Sequence, residues 1–475
     1  MPHSFTSRRA ALVLVLLGLS PAAAVAQQNS SNPYYEFLQA RRLEGENDTQ
    51  AALAALNRAA AADPGSAEIK AEIAALQLRK NPPARAEGEK AAKEALAIDE
   101  KNVEANRALG DLYTKDVDDG SRASNVQENV RNAILHLERA AAGTTGTDLQ
   151  LQYTLGRLYL RNGEPKKAVD AVSKVVAQSP GSPQARQLLA TANAAAGDLK
   201  GAIATLEEVV DYLPVLAQDL GRYLEQDGRP GEAAGAYTLA LTQNPNNRQL
   251  KVLRIAALIN AKSFSEAARF AGEARKQHPD DVNFPRLQAR ALVDAGDRPG
   301  AIAVAEAAAK AFPKDATTQF VLVDLYSDAG RSSEAEKVLR QMLAAEPSNS
   351  KERARVMNHL GYLLATRGEQ LDEAVTLVQR ALQADPGRPE YLDSLGWAHY
   401  KKGELNDALK YLAAAAEKLP EHSEIQDHLG DVQLRRGALP EAIAAWTKAL
   451  AGNGEGVDKE AIERKLQDAK KKLTR

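Results

Sequence analysis

The stretch that decides the fold runs from Pro389 to His422 and reads PEYLDSLGWAHYKKGELNDALKYLAAAAEKLPEH. Leu392, Leu395 and His399 fall on one face of a helix, at the i, i+3, i+7 spacing. Gly396, on the same helix, has no side chain and so allows a second helix to cross closely at that point. A larger residue there would hold the two helix axes apart. The stretch therefore predicts a hairpin of two closely packed antiparallel helices, A and B.

The small residues and prolines of this hairpin recur along the chain with a step of 34 residues. The pairs and series in register are Gly396 and Gly430, Ala408 and Ala442, Ala168 and Ala202, Ala267, Ala301 and Ala335, and Pro245, Pro279, Pro313 and Pro347. A period of 34 is typical of the tetratricopeptide repeat, in which hairpins stack because a lone hairpin cannot bury its apolar face. We therefore predict an all-α fold, a right-handed superhelical solenoid of about twelve hairpins with a C-terminal capping helix.

Repeat phase also predicts the organisation of the chain, with two departures from the period. The repeat from Ala202 to Ala233 is clipped to 31 residues, and the one from Gly361 to Gly396 has 35, with an extra residue near Glu369-Gln370. The predicted segments are a signal peptide at 1–26, irregular repeats at 27–148 with a loop insert at 115–129, regular repeats at 149–349, C-terminal repeats at 350–456 and a capping helix at 457–475.

The N-terminal segment has the three parts of a secretory signal peptide. Arg8-Arg9 precedes an apolar run from Ala10 to Leu19, and Ala24-Val25-Ala26 supplies the small residues of a cleavage site. The run is too short to span a bilayer, so no integral membrane span is predicted. Ser7-Arg8-Arg9 leaves general secretory and twin-arginine export both open.

The cysteine content and the net charge limit which compartment and which kinds of partner can be expected. The 475 residues include no cysteine, which excludes disulfides, cysteine-metal sites and a lipid anchor on a cysteine. The formal net charge of −2 implies no nucleic-acid-binding tail. The terminal helix from Asp458 is locally basic, which fits a solvated capping face or a contact with anionic lipid or an acidic partner. We predict a periplasmic or secreted bacterial protein without a lipid anchor.

Catalytic motifs are missing from the sequence. It contains no HExxH zinc motif, no glycine-rich phosphate loop and no Gly-x-Ser-x-Gly elbow. Four histidines, His359, His399, His422 and His428, cluster in the last three repeats, where His399 occupies a packing position. We therefore predict a protein that is not an enzyme and that has no catalytic, cofactor-binding or metal-binding residues.

Binding residues are expected on the face of helix A that points away from helix B. In the N-terminal and middle repeats this face carries arginines suited to a partner's carboxylates, and in the C-terminal repeats it carries aromatic and acidic residues suited to apolar or backbone-rich segments. The predicted residues are Arg157, Arg222, Arg290, Asn358, Tyr362, Asp393, Trp397, Tyr400, Lys401, Asp427 and Asp431. Two alternatives stay open: the arginines pair with neighbours such as Glu225 and Asp294, and Trp397 packs between A helices. Trp446 is expected in the core.

The run from Val356 to Ala381, with Leu-Gly-Tyr at 360–362, and the run Leu392-Asp393-Ser394-Leu395-Gly396-Trp397 carry a more specific resemblance. They resemble bacterial envelope tetratricopeptide proteins that include the lipoprotein adaptor of a carboxy-terminal processing protease. The resemblance implies a superhelix that wraps around a protease or its substrate. This chain departs from it by lacking the lipid-attachment cysteine.

Together these features predict a non-enzymatic periplasmic scaffold or adaptor that holds protein partners in the concave groove of the superhelix. A periplasmic protease or an envelope assembly factor is the expected partner, and nucleic acid is not. The alternative is a structural periplasmic component of an exopolysaccharide or outer-membrane export machine. Whether the groove or the convex face binds is left open.

Overall fold

The computed structural model of the protein describes residues 32–120, 125–345 and 349–473. Within these ranges there are 25 α-helices and no strand, which confirms the all-α prediction. The predicted signal peptide at 1–26 and its arginine pair lie outside the described residues. The chain divides into two compact units, one ending at Gly228 and the other beginning at Arg229.

The first unit consists of five helical hairpins, a short 3-10 turn at Pro214–Leu216 and one further helix. Polar residues such as Asn102 and Asp148 begin its helices, since each side chain accepts a hydrogen bond from the backbone N–H three residues on. The helices are α1 (Pro33–Gly45), α2 (Thr49–Ala62), α3 (Ala67–Arg79), α4 (Arg85–Ile98), α5 (Val103–Asp119), α6 (Val126–Gly143), α7 (Leu149–Arg161), α8 (Pro165–Gln178), α9 (Pro183–Ala195), α10 (Leu199–Glu207) and α11 (Ala217–Gln226).

The second unit begins with a single helix, continues with six hairpins and closes with a final helix. In each hairpin the odd-numbered helix is helix A and the even-numbered helix is helix B. The helices are α12 (Pro230–Gln243), α13 (Arg248–Asn260), α14 (Phe264–Gln277), α15 (Asn283–Asp294), α16 (Arg298–Ala311), α17 (Ala316–Asp328), α18 (Ser332–Ala344), α19 (Ser350–Arg367), α20 (Leu371–Ala384), α21 (Pro389–Lys402), α22 (Leu405–Lys418), α23 (Ser423–Arg435), α24 (Leu439–Ala451) and α25 (Lys459–Leu473).

Close helix packing explains the small residue at the crossing of each hairpin. A Cβ atom on Gly396 would stand 2.6 Å from Leu412 Cγ and 3.1 Å from the carbonyl oxygen of Ala408. A Cβ on Gly430 would stand 2.4 Å from the indole nitrogen of Trp446, which is fully buried as expected. The 34-residue spacing of glycines in the sequence is therefore the spacing of helix crossings.

The structure differs from the prediction of a loop insert at 115–129. Helix α5 continues to Asp119 and α6 begins at Val126, so most of this segment is helical. Val117 and Val130 are 2% and 0% exposed and pack in one apolar cluster. These valines extend the apolar faces of the two helices past the normal length, and the Asp- and Ser-rich composition around them hid that periodicity.

Both departures from the 34-residue period have a local cause. In the clipped repeat, α10 spans only nine residues before the 3-10 turn, where Tyr212 and Val215 are 62% and 64% exposed. In the 35-residue repeat, the extra residue enters the turn after α19, where Gln370 adopts a left-handed backbone conformation with φ of 46°. Each change is absorbed in a turn, so the helix crossings on either side keep their packing.

Helix α25 covers the end of the last hairpin. Its Ile462, Leu466 and Ala469 are buried against the cluster that contains Trp446 and Ala449. Its lysines at 470–472 are exposed to solvent. The predicted capping helix is therefore present. Across the described residues, we find no helix with an apolar stretch sufficient to cross a bilayer.

Candidate functional site

In the first unit, the two predicted arginines each lie beside a carboxylate. Arg157 Nη2 is 2.7 Å from Asp118 Oδ1, and the two side chains are 44% and 40% exposed. Arg222 Nη2 is 3.0 Å from Asp219 Oδ1, one turn earlier on the same helix. The alternative of intramolecular pairing thus describes Arg222, which pairs with Asp219 on its own helix.

The third arginine belongs to the second unit and follows the same pattern. Arg290 Nε is 2.7 Å from Asp294 Oδ2, the neighbour that the sequence indicated. The Arg290 side chain is 68% exposed, so the pair is formed in water and is weak. Binding of a partner's carboxylates by these arginines stays a prediction.

The C-terminal A helices bring most of the other predicted residues together. Trp397, however, was predicted to be exposed on this face and is buried. Only 9% of it is accessible, because its ring stacks on His428 at 4.0 Å and on Tyr400 at 5.0 Å between ring centroids. Lys401 adds its ammonium group 4.8 Å from the centre of the indole. The alternative that Trp397 packs between A helices describes its position.

Beneath Trp397 lies a buried ion pair between two repeats. Asp393 Oδ1 on α21 is 2.9 Å from His428 Nδ1 on α23, and the side chains are 7% and 8% exposed. Desolvation by itself would lower the pKa of His428, but attraction to Asp393 and the hydrogen bond between them outweigh it, so the pKa is raised. The pair therefore ties two adjacent hairpins through opposite charges.

Asn358, Tyr362 and Asp393 line a cavity of about 170 Å³ that crosses α19, α21 and α23. Tyr362 donates its hydroxyl to Glu424 Oε1 at 2.5 Å, and burial followed by the charge of Glu424 raises the pKa of Tyr362. Glu390 completes the set of three carboxylates on the wall. The cavity is thus rich in acceptors.

Asn358 is the one predicted residue whose hydrogen bonding is incomplete at this cavity. It is 7% exposed, and its Oδ1 atom has no hydrogen-bond partner among the residues described. A buried carbonyl oxygen without a donor costs free energy, roughly 1–3 kcal/mol. A donor supplied from outside the chain would recover that cost.

The last two predicted acids are occupied by the capping helix. Lys465 of α25 places Nζ 3.0 Å from Asp427 Oδ1 and 2.7 Å from Asp431 Oδ1. Burial raises the pKa of Asp431 and Lys465 opposes that shift. Beside them, Arg435 lies over the Tyr400 ring at 5.2 Å. Asp427 and Asp431 therefore hold α25 in place.

Sequence reasoning missed three residues that complete this site: His428, Glu424 and His359. The clustering of histidines in the last three repeats was a signal, but no binding role was assigned to them. Burial and the nearby Arg355 lower the pKa of His359 to about 4, so it is neutral at pH 7, and it packs on Phe320 at 4.9 Å. The contacts of all three depend on neighbouring repeats, which lie more than thirty residues apart in the chain.

Two other places among the described residues resemble binding sites: a larger cavity and a group of metal-ligand-type side chains. In the first unit, a cavity of about 530 Å³ lies between α3 and α5, but its arginines are paired, as in Arg107 with Asp148 at 2.5 Å. In the second unit, His399, Glu404 and Asp407 bring ligand-type atoms within 4.8 Å of one another. Lys402 Nζ already lies 2.8 Å from Glu404, so this carboxylate has a cation.

Comparison with known proteins agrees with the helical architecture. Models of the tetratricopeptide repeat match residues 224–291, 292–360 and 394–457, and a model of anaphase-promoting complex, cyclosome, subunit 3 matches residues 126–209. The chain belongs to the tetratricopeptide repeat family. Stacked hairpins of this kind form a scaffold suited to protein–protein interaction.

Two curated relatives and one solved structure illustrate the similarity. A tetratricopeptide repeat-containing protein of Pseudomonas aeruginosa is 31% identical over 216 residues, which are 45% of this chain and 35% of that protein. Cellulose synthase operon protein C of Xanthomonas axonopodis pv. citri is 31% identical over 166 residues, 32% of this chain and 11% of that protein. The structure of Naa15/Naa10 bound to HypK-THB has a TM-score of 0.47 at 18% identity, covering 88% of this chain and 68% of that one. The chain thus spans about a third or less of the length of these two curated relatives.

Proposed function

We propose that the protein is a non-enzymatic scaffold of the bacterial periplasm that holds a protein partner against the A-helix face of α19, α21 and α23. The observation that carries the proposal is the acceptor-rich cavity on this face, with the unpartnered Asn358 oxygen on its wall. The surrounding side chains are held by Trp397 stacking and by the Asp393–His428 pair. A surface fixed in this way loses little side-chain entropy when a partner binds.

Position-specific photo-crosslinking tests which face binds. A photo-crosslinking amino acid at Lys401 on α21 should trap the partner in living cells, because Lys401 borders the Trp397 stack. The matched control is the same amino acid at Glu417, an exposed position on the B helix α22. Crosslinks from Glu417 and none from Lys401 would assign binding to the other face and overturn the proposal.

The finer part of the proposal is the kind of partner and the compartment. The resemblance of the 356–397 region to envelope repeat proteins supports a periplasmic protease or an envelope assembly factor as partner. The predicted cleavage after Ala26 supports export. N-terminal sequencing of the protein from a periplasmic fraction should give Gln27 as the first residue; an uncleaved cytoplasmic product would contradict the compartment and leave the binding face untouched.

A second candidate function is a structural component of an exopolysaccharide or outer-membrane export machine. The Xanthomonas relative, which is named for a cellulose synthase operon, favours it. In this case the Lys401 crosslinks should lead to a synthase or to an outer-membrane porin, and deletion of the gene should reduce secreted polysaccharide. Crosslinks to a protease or its substrates, with polysaccharide unchanged, would favour the adaptor.

A further inference from the structure

Hydrogen-bond acceptors predominate among the polar groups of the cavity across α19, α21 and α23. Glu390, Asp393 and Glu424 supply carboxylate oxygens, and Asn358 supplies the buried amide oxygen that lacks a donor within the described part of the chain. His359 and His422 also line it; His359 is neutral at pH 7 and so adds no positive charge, and the Nδ1 atom of His422 is buried without a hydrogen-bond partner among the described residues. The three carboxylates and the Asn358 oxygen favour an entering group that donates hydrogen bonds and carries a positive charge.

The existing partners of each carboxylate indicate which kind of cationic donor the cavity can accept. Both oxygens of Asp393 lie within 3.2 Å of His428 Nδ1, and one oxygen of Glu424 accepts the Tyr362 hydroxyl. One oxygen of Glu390 lies 3.6 Å from Arg388. At each of these three groups at least one oxygen is engaged, whereas a guanidinium binds best to a carboxylate that offers both.

An ammonium group fits single acceptors better, because it is compact and carries three rotatable donors. We propose that the cavity binds the ammonium group of a lysine side chain from an extended segment of the partner, with Asn358 Oδ1 and Glu424 as its principal acceptors. This inference rests on the proposed scaffold function and names the chemistry of the segment that the A-helix face selects.

The size and lining of the cavity agree with a lysine head group. A volume of about 170 Å³ admits one side-chain end and is small for a folded element. The wall includes Tyr362, against whose ring an alkyl stem can lie, and Ile425, whose side chain is buried. The partner backbone would then run along the A helices outside the cavity.

Binding of short peptides to the full chain tests the inference directly. The probes are acetylated and amidated pentapeptides, Gly-Ala-X-Ala-Gly, in which X is lysine, arginine, norleucine or glutamate, titrated by calorimetry. The lysine peptide should bind about tenfold or more tightly than the norleucine peptide, since a charge-assisted hydrogen bond is gained. Equal binding of these two peptides, or binding of neither, would overturn the proposal, and tighter binding of the arginine peptide would overturn the choice of ammonium.

Two variants assign the effect to the cavity. Glu424→Gln removes the charge but keeps an oxygen for the Tyr362 hydroxyl, and Asn358→Leu removes the acceptor at similar volume. Each should abolish most of the lysine preference over norleucine, while Glu417→Gln on α22 should leave that preference intact. A lysine preference that survives both variants would place the ammonium elsewhere. If that preference is absent while Lys401 still crosslinks a partner, the lysine site fails and the scaffold function stands.

Discussion

The A-helix faces of the first unit and of the last three hairpins carry opposite charges close together, but in different surroundings. In the first unit, Arg157 and Asp118 meet where both side chains are about two-fifths exposed. In the last hairpins, Asp393 and His428 meet with less than a tenth of either side chain accessible. The first pair is screened by water and can exchange partners at little cost, whereas the second is locked by the packing around it. One repeat architecture therefore supplies both an adaptable surface and a preformed one.

Removal of one partner of the buried pair should have the largest effect. His428→Ala leaves the Asp393 carboxylate buried without its cation, which costs roughly 3–5 kcal/mol of unfolding free energy. Urea unfolding followed by tryptophan fluorescence measures this, since both tryptophans lie in the affected region. The double variant His428→Ala with Asp393→Ala should recover part of the loss, and a single variant as stable as the wild type would remove the distinction between the two faces.

Acid should weaken the C-terminal hairpins through His359. Its pKa is about 4 when folded and roughly 6.5 when unfolded, so the unfolded chain binds the proton first. Stability is full above pH 6.5 and falls, by up to about 3 kcal/mol, as the pH drops toward 4. His359→Phe keeps the ring contact with Phe320, and its unfolding free energy should fall less over this window than that of the wild type.

The raised pKa of His428 predicts a pH dependence of stability opposite in sign to that of His359, so the two residues control for each other. Its contribution is fully present below about pH 6.5 and is lost as the pH rises through the folded pKa. The difference in stability between wild type and His428→Gln should therefore shrink at alkaline pH. A difference that grows with pH would contradict the ion pair.

The stability cost of replacing a helix-crossing glycine by alanine should differ between the C-terminal hairpins and the first unit. At Gly396 a Cβ meets backbone, with Leu412 N at 3.0 Å and Ala408 O at 3.1 Å, so the helices must separate. At Gly110 in the first unit the closest atoms belong to the Leu137 side chain, and its backbone N is 3.3 Å away. Gly396→Ala should cost about 1–3 kcal/mol and Gly110→Ala less. Gly235→Ala, with nothing within 4 Å, should be neutral or stabilising; hydrogen exchange of each variant shows where the damage lies.

The smallest effect is expected at the exposed pair. Arg157→Ala should lower the unfolding free energy by about 1 kcal/mol or less, because the Arg157–Asp118 contact is formed in water. Thermal unfolding at low and high salt measures it. A loss as large as that of His428→Ala would mean that the first unit also depends on a desolvated pair.

The sequence predicted the features that depend on one hairpin, and it failed where two hairpins meet. The spacing of Gly396 and Gly430 located the helix crossings, and Trp446 was correctly expected in the core. The burial of Trp397 could not be derived from its own repeat, because the ring that covers it, His428, belongs to the next one. The position of a residue on helix A predicts which way it points, but the neighbouring repeat decides whether solvent reaches it.

The same dependence between elements applies to Lys465 on α25. During synthesis α23 leaves the ribosome before α25, so Asp427 and Asp431 must remain hydrated until Lys465 arrives. A polypeptide that stops before Lys459 would keep two carboxylates without this counterion and an unsealed apolar end at Trp446 and Ala449. Folding of α25 thus supplies the counterion and covers the apolar end in one step, and we expect products that stop before Lys459 to have a less stable last hairpin.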